Sequence, residues 1–162
     1  LMSYAFPTEE RELSNYILDV LGTSEEELMR TCDLTPFSMR VQSLNRTLID
    51  KIFAVCDYYM QGKNHRNARH LYDIYKLSEQ IEIDDRFLEL VSEVRNHRIG
   101  LGPQIAPAAP LDVDILSLAE ALCDQDFYKD DYEETTVKLI SDSLSYDVVK
   151  NRYRMLAERI FG

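Results

Sequence analysis

Cysteine is scarce in this chain: Cys32, Cys56 and Cys123 are three thiols spread over 162 residues. An odd, widely spaced set excludes a disulfide framework and fits free, buried thiols in a reducing cytoplasm. No histidine stands near them to make a thiolate nucleophile. Long apolar runs are also lacking, and none approaches the roughly 20 residues that span a bilayer. No charged-then-apolar leader opens the chain, which argues against secretion and for a cytoplasmic protein. Basic residues are the third shortage, with 18 Lys and Arg against 29 Asp and Glu, a net charge of −11. Counterion release needs a dense cationic footprint, so bulk electrostatic binding of nucleic acid is excluded. What remains, 45% hydrophobic and 29% charged residues, describes a soluble, globular chain with a real core.

The scarce cations are not spread evenly. Residues 38–76 hold seven Lys and Arg (Arg40, Arg46, Lys51, Lys63, Arg66, Arg69, Lys76) against Asp50, Asp57 and Asp73, a net of +4. The rest of the chain therefore carries −15. That asymmetry points to a local anion site, such as one for phosphate.

Periodicity predicts mostly helices. Pro7-Thr8 opens a first helix running to Val20-Leu21, with Leu13, Tyr16, Ile17 and Val20 on one face and Gly22 ending it. Ser24–Glu27 reads as a capping-box start for a short second helix. Phe37–Gln42 alternates apolar and polar residues, as a short strand does. A helix from Leu44 carries Leu44, Leu48, Ile52, Val55 and Tyr59, with Ile49, Phe53, Cys56 and Met60 widening its face, and Gly62 ends it. Further helices are expected from about 67 to 78, from Asp84-Asp85 onward, and over 113–123 and 146–161. Phe127–Tyr132 is aromatic and charged and is expected to pack across the bundle. The fold class is thus mainly α, a helical bundle with at most one or two short strands near residues 37–42. Residues 1–99 form its first part, 100–111 a Gly/Pro/Ala linker, and 112–162 a helical segment packing on the first part.

The run Arg46-Thr47-Leu48-Ile49-Asp50-Lys51-Ile52-Phe53-Ala54, followed by Arg69-His70-Leu71-Tyr72-Asp73-Ile74-Tyr75-Lys76-Leu77, resembles the C-terminal half of the AbiEii/AbiGii-type nucleotidyltransferases. These are bacterial toxins of type IV toxin–antitoxin and phage-defence systems. The resemblance implies an E/R-R-T-x-x-D-K-[IL] helix and an R-[DH]-[IL]-Y-D-[IL] helix, and places Lys51 and Asp73 at the family's C-terminal active-site positions. It also implies a polymerase-β-like metal-binding half, with a Gly-Gly or Gly-Ser turn and a D-x-D pair that hold Mg²⁺. That half is missing here, so the chain is expected to be a C-terminal domain, inactive alone, whose partner is the N-terminal half of the same protein. The intact protein would use Mg²⁺ and NTP to move a nucleoside monophosphate onto an acceptor hydroxyl, the 3′ end of tRNA among the candidates, with an antitoxin as a further partner. The other reading is an acidic helical protein-interaction module without catalysis.

Two D-x-D strings occur. Asp112 and Asp114 precede the apolar run Ile115, Leu118 and Leu122, as helix N-terminal residues do, and three prolines interrupt the segment before them. Asp124 and Asp126 follow no glycine turn. Both pairs read as solvated helix ends, and no metal site is assigned. His65, His70 and His97 lack ligand spacing for zinc. Tyr58, Tyr59, Tyr72 and Tyr75 read as core edge more than base-stacking platforms.

Lys51 borders the apolar face of its helix. Such a lysine can simply snorkel to water. The resemblance instead gives it the triphosphate, where a positioned ammonium offsets charge building on pyrophosphate. Asp73 could merely pair with Arg69 one turn away, or it could orient Lys51 or take the proton of an attacking hydroxyl. Arg46 and Arg69 are the candidate phosphate-binding residues, Arg46 by a bidentate clamp. His70 reads as structural.

Overall fold

The structure is a computed structural model that describes residues 6–14, 17, 20, 26–32 and 34–162. The chain forms two compact units, Leu1–Ser43 and Leu44–Gly162. It is mainly α, as the periodicity predicts, with one small sheet.

In the first unit, strand β1 (Thr8–Leu13) pairs antiparallel with β2 (Phe37–Gln42), from Thr8 opposite Gln42 to Leu13 opposite Phe37. Helix α1 (Glu26–Thr31) lies between them in sequence. The strand at Phe37–Gln42 is where alternation placed it. The helix expected from Pro7 is corrected over Thr8–Leu13. Glu, Arg and Leu favour helix locally, but the ladder to β2 is a non-local gain that local propensity does not contain. Glu10 opposite Arg40 adds a cross-strand pair of opposite charge. Tyr16 and Leu21 of that expected helix, and Ser24 and Glu25 of the expected capping box, lie outside the described residues.

The second unit is built around helix α2 (Leu44–Met60). Leu48, Ile49, Ile52, Phe53, Val55 and Cys56 are all buried, so apolar residues cover most of its circumference. Gly62, at φ +66°, turns the chain away. Its amide donates to the Tyr59 carbonyl and the Lys63 amide to the Tyr58 carbonyl, which closes the orphan carbonyls of the last turn. Helices α3 (Arg69–Ser78), α4 (Asp85–Ile99) and α5 (Ile115–Asp124) pack against α2. Asp84 caps α4 by accepting from the Phe87 amide, and Asp114 caps α5 by accepting from the Ser117 amide.

Residues 100–114 form a chain of turns whose Ala106, Ala108 and Ala109 are buried. Arg95 of α4 donates to the carbonyls of Ala109, Pro110 and Val113 at 2.7–2.9 Å, satisfying backbone groups that no helix or sheet serves. Short helix α6 (Lys129–Glu134) and a 3₁₀ turn at Thr136–Lys138 precede α7 (Tyr146–Phe161), which packs on α3 and α5. The aromatic segment does cross the bundle, with Tyr128 Oη donating to the Val55 carbonyl at 2.7 Å.

The cysteines divide. Cys56 and Cys123 are buried, whereas Cys32 is exposed, a correction to the reading of all three as core thiols. Burial pushes the Cys56 thiol up to about 12, and its Sγ lies 3.1 Å from Tyr153 Oη. A thiol reagent at neutral pH is therefore expected to label Cys32 readily and the other two only after unfolding. Mass spectrometry of the labelled native protein checks this. Cys56 modified as fast as Cys32 would refute the packing around Tyr153.

Candidate active site

Helices α2 and α3 bring together two charges that lie 22 residues apart in sequence. Lys51 Nζ sits 2.6 Å from Asp73 Oδ2. His70, three residues before Asp73, places Nδ1 at 3.3 Å from the same ammonium and 3.8 Å from the same carboxylate oxygen. Its ring stacks on Tyr58 with centroids 5.7 Å apart and planes within 8°. Lys51 and Asp73 are half-buried, with side-chain exposures of 27% and 36%. A substrate can therefore reach the pair, and the lysine head lies on Asp73 instead of in bulk water.

Burial lifts the Asp73 carboxyl, but His70 and Lys51 outweigh it and hold the group below the ordinary carboxylate range. Asp73 is thus ionised throughout neutral pH. As a depressed carboxylate, it contributes to stability above the unfolded-state pKa and loses that contribution as pH falls through its folded value.

The other two candidates are placed apart. Arg46 is five residues before Lys51, about 140° round the helix, and is 2% exposed. Its Nε donates to Asp50 at 2.9 Å. Asp50 also accepts from Arg98 of α4 at 3.2 Å, and Arg98 reaches on to Asp57, whose other oxygen accepts from the Ala108 amide at 2.9 Å. Arg46 therefore belongs to a buried network between α2, α4 and the turns, and not to an exposed clamp. Arg69 is exposed at the start of α3, one turn before Asp73, and forms no ion pair among the described residues. It lines a cavity of about 240 Å³ with Arg66, Thr135, Thr136 and Leu139. Farther along α3, Lys76 and Tyr72 both hold Asp142, at 3.0 and 3.4 Å.

The family model described as nucleotidyl transferase AbiEii toxin, type IV TA system, matches residues 2–161. The chain belongs to the AbiEii family. No curated protein and no solved structure matches it. The family is one of nucleotidyltransferase toxins of type IV toxin–antitoxin systems, and membership implies an antitoxin partner. No described helix is long and apolar enough to cross a membrane.

AbiEii chemistry implies NTP and Mg²⁺, and the carboxylates can be tested for the metal. Asp114 caps α5, Asp124 pairs with Arg154, and Asp126 pairs with Lys150. Asp131 accepts from the Arg66 and Ala68 amides at 2.8 and 3.0 Å. Asp50 and Asp57 are held by arginines, and Asp73 by Lys51. Among the described residues no group of three or more His, Cys, Asp or Glu could hold a metal ion, so these residues do not fit Mg²⁺.

Sequence periodicity missed His70, whose part depends on an inter-helix contact. It also missed Thr135 and Thr136, which no motif marks. For Arg46 a signal existed: residues 46, 50, 53 and 57 form one stripe, and charges sharing a stripe with Phe53 mark a buried ion network.

Proposed function

We propose that Lys51 and Asp73 are the catalytic pair of a nucleotidyl transfer, moving a nucleoside monophosphate from an NTP to an acceptor hydroxyl in the cytoplasm. The observation that carries this reading is the 2.6 Å contact between Lys51 and Asp73 in a half-buried position open to substrate, on the two helices that hold the family-like motifs.

In the reaction the acceptor oxygen attacks the α-phosphorus, the bond from that phosphorus to the bridging oxygen breaks, and pyrophosphate leaves with the electron pair. Lys51 moves from Asp73 onto phosphate oxygens and offsets the charge that builds there. Asp73, relieved of the ammonium that depresses its basicity, takes the proton of the attacking hydroxyl. His70, braced on Tyr58, limits the positions the Lys51 head can adopt. Arg69 supplies a second cation for phosphate, whereas Arg46 is engaged by Asp50 and serves by fixing α2.

The reaction class is tested with NTP labelled separately at the α- and γ-phosphates, added to the intact protein and its acceptor. The α-label is expected on the acceptor and the γ-label in pyrophosphate. Transfer of the γ-label to the acceptor would make the reaction a phosphorylation and overturn the assignment.

A further inference from the structure

His70 lies beside both members of an ion pair that the proposed reaction separates. Lys51 and Tyr58 are seven residues apart on α2, and His70 and Asp73 are three apart on α3, so each pair shares one face of its helix. Nδ1 of His70 is 3.3 Å from the Lys51 ammonium and 3.8 Å from Asp73 Oδ2. That one nitrogen can accept from the ammonium or, when it carries a proton, donate to the carboxylate. Tyr58 stacks on the ring with centroids 5.7 Å apart and fixes where the nitrogen points. The ring is only 12% exposed, so water competes little for it. Among the described residues, the titratable groups that face it are Lys51, Tyr58 and Asp73. On the α7 side of α3, Arg152 lies over Tyr75, about 140° round the helix from His70.

A carboxylate is a poor place for a hydroxyl proton to stay. An imidazole is ordinarily more basic than an aspartate by about 2.6 pKa units, roughly 400-fold. Once Lys51 has left for the phosphates, Nδ1 has lost the ammonium beside it and Asp73 Oδ2 is its nearest polar partner. We propose that His70 receives the proton from Asp73 when Lys51 leaves, so that α3 carries a two-step relay leading away from the acceptor hydroxyl. The hydroxyl O–H bond breaks as its oxygen attacks the α-phosphorus, and the proton passes to Asp73 Oδ2. It then moves to Nδ1 of the neutral ring, which restores the carboxylate and leaves an imidazolium paired with it over the face of Tyr58. Pyrophosphate departs with its electron pair. When Lys51 returns, two cations share one carboxylate, and the imidazolium releases its proton to solvent. The inference rests on the Lys51–Asp73 reading and adds to it the destination of the proton.

The test is the pH profile of transfer by the intact protein, from about pH 5 to 8, beside that of His70→Gln. The carboxamide keeps a polar group near both partners but takes no proton in this range. A ring already protonated cannot receive the proton, so kcat of the unaltered protein should fall about tenfold per pH unit below an inflection in the imidazole range. His70→Gln should lower kcat roughly 10- to 100-fold at neutral pH and lack that inflection, with KM for NTP changed less than about twofold. The nucleotide's own phosphates titrate alike in both proteins, so the difference between the two profiles carries the result. Equal thermal midpoints establish that the variant is folded, and the profile of the unaltered protein tests the relay without it. A flat profile for the unaltered protein, or the same inflection in His70→Gln, overturns the relay. A raised KM with kcat untouched overturns it too, and makes His70 only a brace for Lys51. Asp73→Asn separates the two readings. If it spares transfer, the Lys51–Asp73 reading falls and the relay with it. If it abolishes transfer while His70→Gln keeps the unaltered profile, the relay alone falls.

Discussion

Lys51→Ala is expected to lower nucleotidyl transfer by the intact protein about 10²- to 10³-fold, the usual cost of removing one group aimed at developing charge. Asp73→Asn should produce a loss of the same order, since the amide can neither hold the ammonium nor accept a proton. Neither change should disturb the fold much. The pair is partly exposed, at 27% and 36%, and such pairs contribute no more than about 1 kcal/mol. Steady-state transfer rates beside thermal melts separate the two effects. Transfer left intact by Lys51→Ala would return that lysine to a snorkelling side chain. A large fall in melting temperature without loss of transfer would make the pair a structural strut.

The largest expected effect on stability lies in the buried network, at Arg98. Its guanidinium joins Asp50 and Asp57 and lies 5.4 Å from the centre of the Phe53 ring. Arg98→Met fills similar space but leaves Asp57, with 4% side-chain exposure, facing only the Ala108 amide. Breaking a buried pair from one side costs about 3–5 kcal/mol, a fall in thermal midpoint of roughly 10–20 °C. The pH dependence has a definite sign. Burial already raises the Asp57 carboxyl, with the Ala108 amide and Arg98 pulling the other way. Without Arg98 it rises further, so the folded variant holds a proton that the unfolded chain releases. Stability of the variant should then decline as pH rises from the unfolded carboxylate's pKa to the raised folded one, the reverse of a depressed carboxylate. Melts across that range read the sign directly, and adding Asp57→Asn should recover part of the loss. An Arg98→Met protein that melts like the original would show that the network contributes nothing.

Helices α2, α3, α4 and α7 were legible because their apolar residues repeat at three and four and their ends carry local signals, Gly62 after α2 and Asp84 before α4. Strand β1 was illegible for the opposite reason. Its Glu and Arg residues prefer helix, and only its partner β2, some thirty positions on, makes it a strand. Lys51 and Asp73 are singled out in the sequence only through motif resemblance, since no periodicity reports that two helices meet. The burial of Arg46 is hidden for the same reason. A residue type suggests an exposed clamp, and only the tertiary position of Asp50 and Arg98 shows that the guanidinium is enclosed.

Tyr153 meets Cys56, and Phe161 packs edge-on against Phe53 with centroids 6.0 Å apart, so the last helix reaches the first helix of its unit at two points. That closure bears on how the protein is made. About 100 residues separate the end of α2 from the end of α7, and at roughly 5–20 residues per second translation leaves α2 waiting for on the order of 5–20 s. The α2–α3 hairpin that carries Lys51 and Asp73 can form early, because it is local. Helices α3, α4 and α5 pack on α2 before then, but Phe53 and Cys56 gain Phe161 and Tyr153 only as α7 emerges, so part of the apolar face of α2 stays open to neighbouring chains over that interval.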